Sequence, residues 1–396
     1  MPQVAQRARP LLQDLEWYRT MRDTDPVSWD PRAKAWNVYR YQDVATVLAD
    51  HRTFSSDFSE VFPDRAGPRD ELREGNILAM DPPRHHQLRS LVSRAFSPRA
   101  IARLEARIGE LTEELLDQAR GRGRIELVGE LAYPLPVTVI AELLGVPADD
   151  RPRFKVWADA LLARDIVDPT DEAAIEAAAV DLRKFHDYLR EHVARRRVEP
   201  RQDLLSDLIA AEIDGQRLND REIVGFGTVL LLAGHITTTL LLGNTLLCLD
   251  EHPQAQDALR ADPAAIPLAI EEVLRYRSPV TRTTRVTATE VRLGDQVIGP
   301  GQLVSARLLS ANHDERQFHS PDDFVADRQP NPHVAFGKGI HFCIGAPLAR
   351  LEGRIALGVL LRRYARLRVD PEQPFEPYAN PGFSGSRTLH LLVEPA

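Results

Sequence analysis

Apolar positions return every three to four residues through most of the chain, with polar breaks between the runs. Four such runs, residues 100–120, 125–144, 151–164 and 172–197, predict successive helices. A fifth, 220–250, is the longest and would span about 45 Å at ~1.5 Å per residue. Its centre, 229–242, is apolar on nearly all sides, which marks a helix buried in a large core. A membrane span is the competing reading, but His235, Thr237, Thr238, Thr239 and Asn244 interrupt the run. Shorter helices are predicted at 41–50 and in a segment ending at Arg275, cut off by Ser278-Pro279. Strand-like alternation is sparse. It occurs at Trp36-Asn37-Val38-Tyr39, in a predicted hairpin over 285–301, and around the turn Pro381-Gly382-Phe383-Ser384-Gly385. Residues 54–74 mix acids, prolines and glycine without a period and read as a loop, and long loops in compact domains often carry function. Helix after helix with little strand predicts a mainly α fold with small β-sheets.

Composition narrows the class. The chain has 396 residues, 43% hydrophobic and 27% charged, with no linker or internal repeat, and reads as one large domain. A formal charge of −8 gives no footprint for nucleic acid. Two cysteines make no disulfide framework, residues 1–22 hold no apolar core of signal length, and no uninterrupted apolar run reaches ~20 residues. A cytoplasmic protein without a membrane span is expected. Lysine occurs only at Lys34, Lys155, Lys184 and Lys338, the remaining basic residues being arginine.

One stretch concentrates the chemistry: Phe336-Gly337-Lys338-Gly339-Ile340-His341-Phe342-Cys343-Ile344-Gly345. Glycines at this density suggest a turn folded tightly around something. A cysteine just ahead of a helix is placed to be a thiolate, because helix N-termini favour negative charge. Taken alone, a buried free thiol in a glycine-rich turn remains open.

The spacing Phe-x-x-Gly-x-His-x-Cys-x-Gly resembles the haem-binding loop of the cytochromes P450, and Phe336, Gly339, His341, Cys343 and Gly345 fill its fixed positions. Four further stretches resemble that family in the same order. Asp81-Pro82-Pro83-Arg84-His85-His86-Gln87-Leu88-Arg89 is similar to the motif that opens the helix contacting the haem propionates. Ala233-Gly234-His235-Ile236-Thr237-Thr238 is similar to the oxygen-binding motif, except that Ile236 stands where Asp or Glu is usual. Glu272-Val273-Leu274-Arg275 resembles the core ion pair, with Arg328 as its third member. Arg285 occupies the place of another propionate-binding arginine.

The resemblance implies a P450 fold around buried haem b (iron protoporphyrin IX), with Cys343 as axial thiolate to the iron. It implies propionate contacts from His85, Arg89, Arg285 and His341, and oxygen handling by Ala233, Gly234, Thr237 and Thr238. Residues 1–38 would be an N-terminal segment packed on a haem domain of 39–396. Pocket walls would include Leu230, Ala233, Ile236, Val280, Arg282 and Phe383, with a mobile lid at 166–170. Cys248 reads as packing. The expected activity is hydroxylation or epoxidation of a bulky, mostly apolar small molecule of the polyketide or macrolide type. Electrons would come from NAD(P)H through a reductase and a ferredoxin, of the [2Fe–2S] kind or similar, docking on Arg350 and Arg354. An H2O2-driven peroxygenase and a non-catalytic haem ligand-binding protein are the alternatives that Ile236 leaves open.

Overall fold

The computed structural model describes residues 14–59, 61, 74–93, 96–166, 172–213, 215–373, 376–378 and 380–396. Its centre is a helical core. The helices that position the site are α1 (Arg84–Ser93), α2 (Pro134–Leu143), α3 (Arg151–Ile166), α4 (Glu172–Val198), α5 (Asp220–Glu251), α6 (Ile266–Tyr276) and α7 (Ala346–Arg363). The long helix α5 begins in a capping box, in which Asn219 and Glu222 satisfy each other's backbone N–H groups. It is the one described helix long and apolar enough to cross a membrane, and it is instead largely buried among its neighbours. Helices α3 and α4 lie where the period predicts, and the link 167–170 falls outside the described residues.

The sequence period overran in two places. Residues 100–120 divide into Pro98–Ala102 and Glu105–Asp117. Residues 125–144 begin as a strand, Arg124–Glu126, then pass through a wide turn at Val128–Ala132 before α2 starts at Pro134. The strand forms because its partner is the C-terminal strand His390–Pro395, which also pairs Tyr364–Val369. The Glu126 carboxylate accepts from the N–H groups of Val128 and Gly129, which ends the strand.

The larger sheet has five strands: β1 (Val27–Asp30), β2 (Ala35–Val38), β3 (Phe54–Ser55), β4 (Thr283–Thr287) and β5 (Leu303–Ala306). Their spatial order is β1-β2-β5-β4-β3, with only β2 and β5 parallel. Strands β1 and β2 join described residues before 39 to a sheet completed by residues near 285 and 305. One expectation is corrected. The hairpin is shorter than 285–301, pairing Val291–Leu293 with Gln296–Ile298, while Arg285 lies in β4 opposite Val304. Of the 54–74 loop, residues 60 and 62–73 lie outside the described residues.

Candidate active site: an open thiol facing a cluster of unpartnered donors

The loop ahead of α7 is held close to the helix Tyr41–Ala49. Gly339 adopts φ 70°, and a Cβ there would come within 2.9 Å of Ala49 Cα and Leu48 O, so no other residue fits. The loop closes when Cys343 N donates to Phe336 O at 2.9 Å. Cys343 lies deep within the molecule and is nonetheless solvent-accessible, the signature of a residue lining an internal hollow. Burial raises the thiol's pKa. The Gly345 N–H, the Arg89 cation, the Ala346 N–H and the Arg350 cation pull the other way, toward thiolate. The second cysteine, Cys248, is fully buried and its thiol is pushed up to about 12, mainly by burial.

Beside this loop the imidazoles of His85 and His341 pack with ring centroids 4.2 Å apart. The Nε2 atom of each is buried and has no hydrogen-bond partner. Burial first, then the Arg89 cation, lowers His85 to about 4; burial, then His85 and the Arg285 and Arg89 cations, lowers His341 to about 3. Arg89 spends one N–H on Phe342 O at 2.6 Å. Arg285, 7% exposed, bonds only Thr284 O at 2.8 Å and Thr283 Oγ1 at 3.3 Å. Four donor-bearing side chains thus converge with no acid among their bonded partners. Buried donors without acceptors are costly unless a ligand supplies them. Carboxylates would suit all four, and a porphyrin carrying two propionates next to an open thiol fits this donor set.

Helix α5 opens one face in the same way. Ala233 is exposed and Thr237 half-buried, although the helix around them is packed. The Thr237 hydroxyl donates to Ala233 O at 2.8 Å. A Cβ on Gly234 would meet Ile140 Cδ1 at 2.6 Å, so glycine lets α5 approach α2. Thr238 is buried. Ile236 and Leu230 are buried too, at 3% and 7% exposed. His235 turns away: its Nδ1–H donates to Leu231 O, and its ring stands edge-on to Tyr133 at 5.6 Å.

Of the other pocket positions, Val280 and Phe383 are bridged to each other, and Phe383 stands edge-on to Tyr378 at 5.9 Å. Arg282 lies just before β4, half-buried. The charges around Arg282 are those of Arg307, Tyr18 and Asp30, on the N-terminal side.

The triad Glu272, Arg275 and Arg328 is brought together completely. Arg275 donates twice to Glu272 at 2.8 Å, both side chains fully buried, and Arg328 Nε lies 3.1 Å from both carboxylate oxygens. Val325 N and Asn331 Nδ2 complete the carboxylate, and Arg275 also donates to the carbonyls of Asn312, Pro321 and Asp323.

Arg350 and Arg354 do not form the free basic patch that was expected. Arg350 is clamped by Glu271 at 2.6 and 2.8 Å, and Arg354 pairs with Glu105 at 2.9 Å. Sequence reasoning missed Glu271 and also Glu352. Glu352 is fully buried on α7, with Thr238 in hydrogen-bonding reach and Oε1 unpartnered. Burial pushes its carboxyl up to about 8. Its signal was an acid at helical spacing among Leu348, Leu351 and Ile355. Among the described residues no cluster of three His, Cys, Asp or Glu side chains would hold a bare metal ion, which leaves Cys343 as the candidate ligand.

A helical body enclosing an open thiol is the architecture of a haem-thiolate protein. The family model for cytochrome P450 matches residues 154–389, and the chain belongs to the cytochrome P450 family of monooxygenases. It is 46% identical over 375 residues to the cyclomarin C epoxidase CymV of Salinispora arenicola, covering 95% of this chain and 94% of that protein. It is 46% identical over 381 residues to the erythromycin C-12 hydroxylase of Saccharopolyspora erythraea, covering 96% and 94%. Among solved structures, the open form of EryK from S. erythraea superposes with a TM-score of 0.91 at 43% identity, covering 98% of both chains. HmtT, involved in himastatin biosynthesis, superposes with a TM-score of 0.88 at 46% identity, covering 96% of this chain and 97% of that one.

Proposed function

We propose that this monooxygenase hydroxylates or epoxidises a bulky, mostly apolar secondary metabolite of the polyketide or macrolide type. The reading draws on relatives named for cyclomarin, erythromycin and himastatin. It draws equally on the apolar residues Val280 and Phe383, which this reading sets beside the substrate. The single observation that carries the active-site assignment is the open Cys343 thiol beside four donor side chains that lack acids.

In this reading Cys343 is the axial thiolate of haem b, while Arg89, Arg285, His85 and His341 hold the propionates through charge-assisted or polar hydrogen bonds. When bound, the haem supplies oxygen activation, with the thiolate favouring O–O cleavage. Phe336 and Gly345 shape the loop under the sulfur. Ala233 and Gly234 keep α5 slim near the hollow, and Thr237 holds a hydroxyl at its wall. Ile236 neither carries a proton nor hydrogen-bonds, so protons reach this wall by another path. Glu352 serves it: raised to about 8, its carboxyl holds a proton at neutral pH, and it lies in hydrogen-bonding reach of Thr238, the residue after Thr237. That observation favours an O2-dependent monooxygenase over a peroxygenase or a mere haem binder. Electrons arrive from NAD(P)H through a ferredoxin and its reductase, in the cytoplasm.

The test is a panel of polyketides and macrolides titrated into the purified haem protein. A low-spin to high-spin shift with one of them, followed by product formation with O2, ferredoxin and NAD(P)H, is expected. Turnover with H2O2 alone, at rates the ferredoxin system never reaches, would overturn the proposal.

A further inference from the structure

Arg350 is not a free surface cation. Its guanidinium lies over the ring of Phe336 at 4.6 Å, while Nε and NH2 are gripped by the two oxygens of Glu271. The same carboxylate reaches His333 Nε2 at 3.1 Å. Glu271 stays ionised: burial would raise its pKa, but the bonds from Arg350 and His333 hold it near about 2. Phe336 therefore sits in a box. Arg350 covers it, the His333 ring flanks it at 6.0 Å, and Phe342 meets it edge-on at 6.2 Å. Its own carbonyl accepts the N–H of Cys343. A single residue thus joins the Arg350–Glu271 pair to the candidate thiolate.

A surface ion pair would account for the Arg350–Glu271 contact but not for its placement. A planar cation on an aromatic face is drawn by the ring's negative quadrupole. Here it is fixed by a bidentate carboxylate that a second residue also holds. With its side chain 39% exposed, Arg350 still reaches solvent. A fixed positive charge there stabilises whichever state of the site carries one more electron.

We infer that Arg350, seated on Phe336 by Glu271 and His333, is a positioning residue that raises the reduction potential of the thiolate site. It acts through the Phe336 ring rather than by touching the reacting atoms. This rests on Cys343 holding the haem.

The readout is the midpoint potential of the haem-loaded protein, measured by spectroscopic redox titration. Arg350→Met should shift it negative, with haem content and the reduced-CO band unchanged. Arg350→Lys should recover most of the shift, because it keeps the charge. In a Phe336→Leu background the Arg350→Met shift should fall to half or less, because the ring that couples them is gone. An unchanged potential in well-folded Arg350→Met, or no recovery in the lysine variant, overturns the inference. Should Arg350→Met not fold, Glu271→Gln takes its place: removing the negative partner should shift the potential positive, and no shift there also overturns it. A wild-type CO band typical of histidine ligation would instead defeat the Cys343 assignment itself, so the two failures are distinguishable.

Discussion

His85 and His341 stand 4.2 Å apart, ring against ring, and neither outer nitrogen has an acceptor. Two imidazoles are held together here by residues 256 positions apart in the chain, beside two arginines with no acid among their hydrogen-bond partners. Such an arrangement is stable only with an anion between its donors. Losing donors should therefore cost haem before it costs fold. The double variant Arg89→Ala/Arg285→Ala should release haem to apomyoglobin on the order of ten- to a hundred-fold faster. Full haem content with wild-type release kinetics would mean the propionates bind elsewhere.

Cys343 should supply the iron's thiolate. Reduced wild-type protein with CO should show the absorption band that gives the family its name, and Cys343→Ser should lose it. Because Cys248 is buried with its thiol pushed up to about 12, it offers no substitute thiolate, and Cys248→Ser should keep the band.

The pair Glu272 and Arg275 predicts a stability effect rather than a catalytic one. Glu272→Gln leaves two buried guanidinium groups facing one neutral amide. Breaking a buried pair in this way typically costs about 3–5 kcal/mol. Chemical denaturation of the variant checks this, and a loss below ~1 kcal/mol would show that Asn312, Pro321 and Asp323 carbonyls suffice for Arg275.

His235 gives the protein an acid-side sensitivity. A carbonyl only accepts, so the bond to Leu231 O puts the proton on Nδ1 and leaves a bare, unpartnered Nε2. Burial lowers the folded pKa from 6.5 to about 4. Above pH 6.5 both folded and unfolded chains are neutral here, and the group contributes no pH dependence. As pH falls from 6.5 toward about 4, the unfolded chain takes the proton first, and stability drops by about 3 kcal/mol at ~1.4 kcal/mol per pK unit. Denaturation curves of His235→Leu should lack that part of the fall. If wild type and variant lose stability in parallel across this window, His235 is not titrating as described.

What was legible in the sequence was whatever depends on near neighbours. Cys343, Gly339 and His341 stand in one short loop, and His85 and Arg89 on one helix turn, so spacing alone groups them. The long run 220–250 announced a core helix because apolar residues circle it. What was illegible depends on partners far along the chain. Arg124–Glu126 is a strand only because His390–Pro395 arrives to pair with it. Arg350 looked like a free cation because nothing local shows Glu271. Glu352 was overlooked for the opposite reason: an acid on a helix is usually solvated, and only packing reveals that this one is fully buried.

That buried acid bears on the final prediction. Cleaving bound dioxygen needs protons delivered into a dry hollow, and Ile236, where relatives of this fold usually carry an acid, delivers none. The structure puts a spare carboxyl on α7 instead, in hydrogen-bonding reach of Thr238, the residue next to Thr237 in the chain. Ordered water can bridge such groups nearly as well as direct contact. Thr237→Ala should therefore divert reducing equivalents to peroxide while substrate binding persists. Glu352→Gln should slow coupled turnover at least several-fold. It should also flatten the pH profile, because a carboxyl raised to about 8 is the group that loses its proton between neutral and alkaline pH. The same substitution should stabilise the fold at neutral pH: a raised folded pKa means stability falls as pH climbs from 4.5 toward 8, and the amide removes that penalty. Greater stability with slower, uncoupled turnover is a combination that a purely structural glutamate cannot produce. Ile236→Glu, by contrast, should leave the natural substrate no better served. A sharp rise in coupled turnover for Ile236→Glu, with Glu352→Gln unaffected, would place the proton path back along α5.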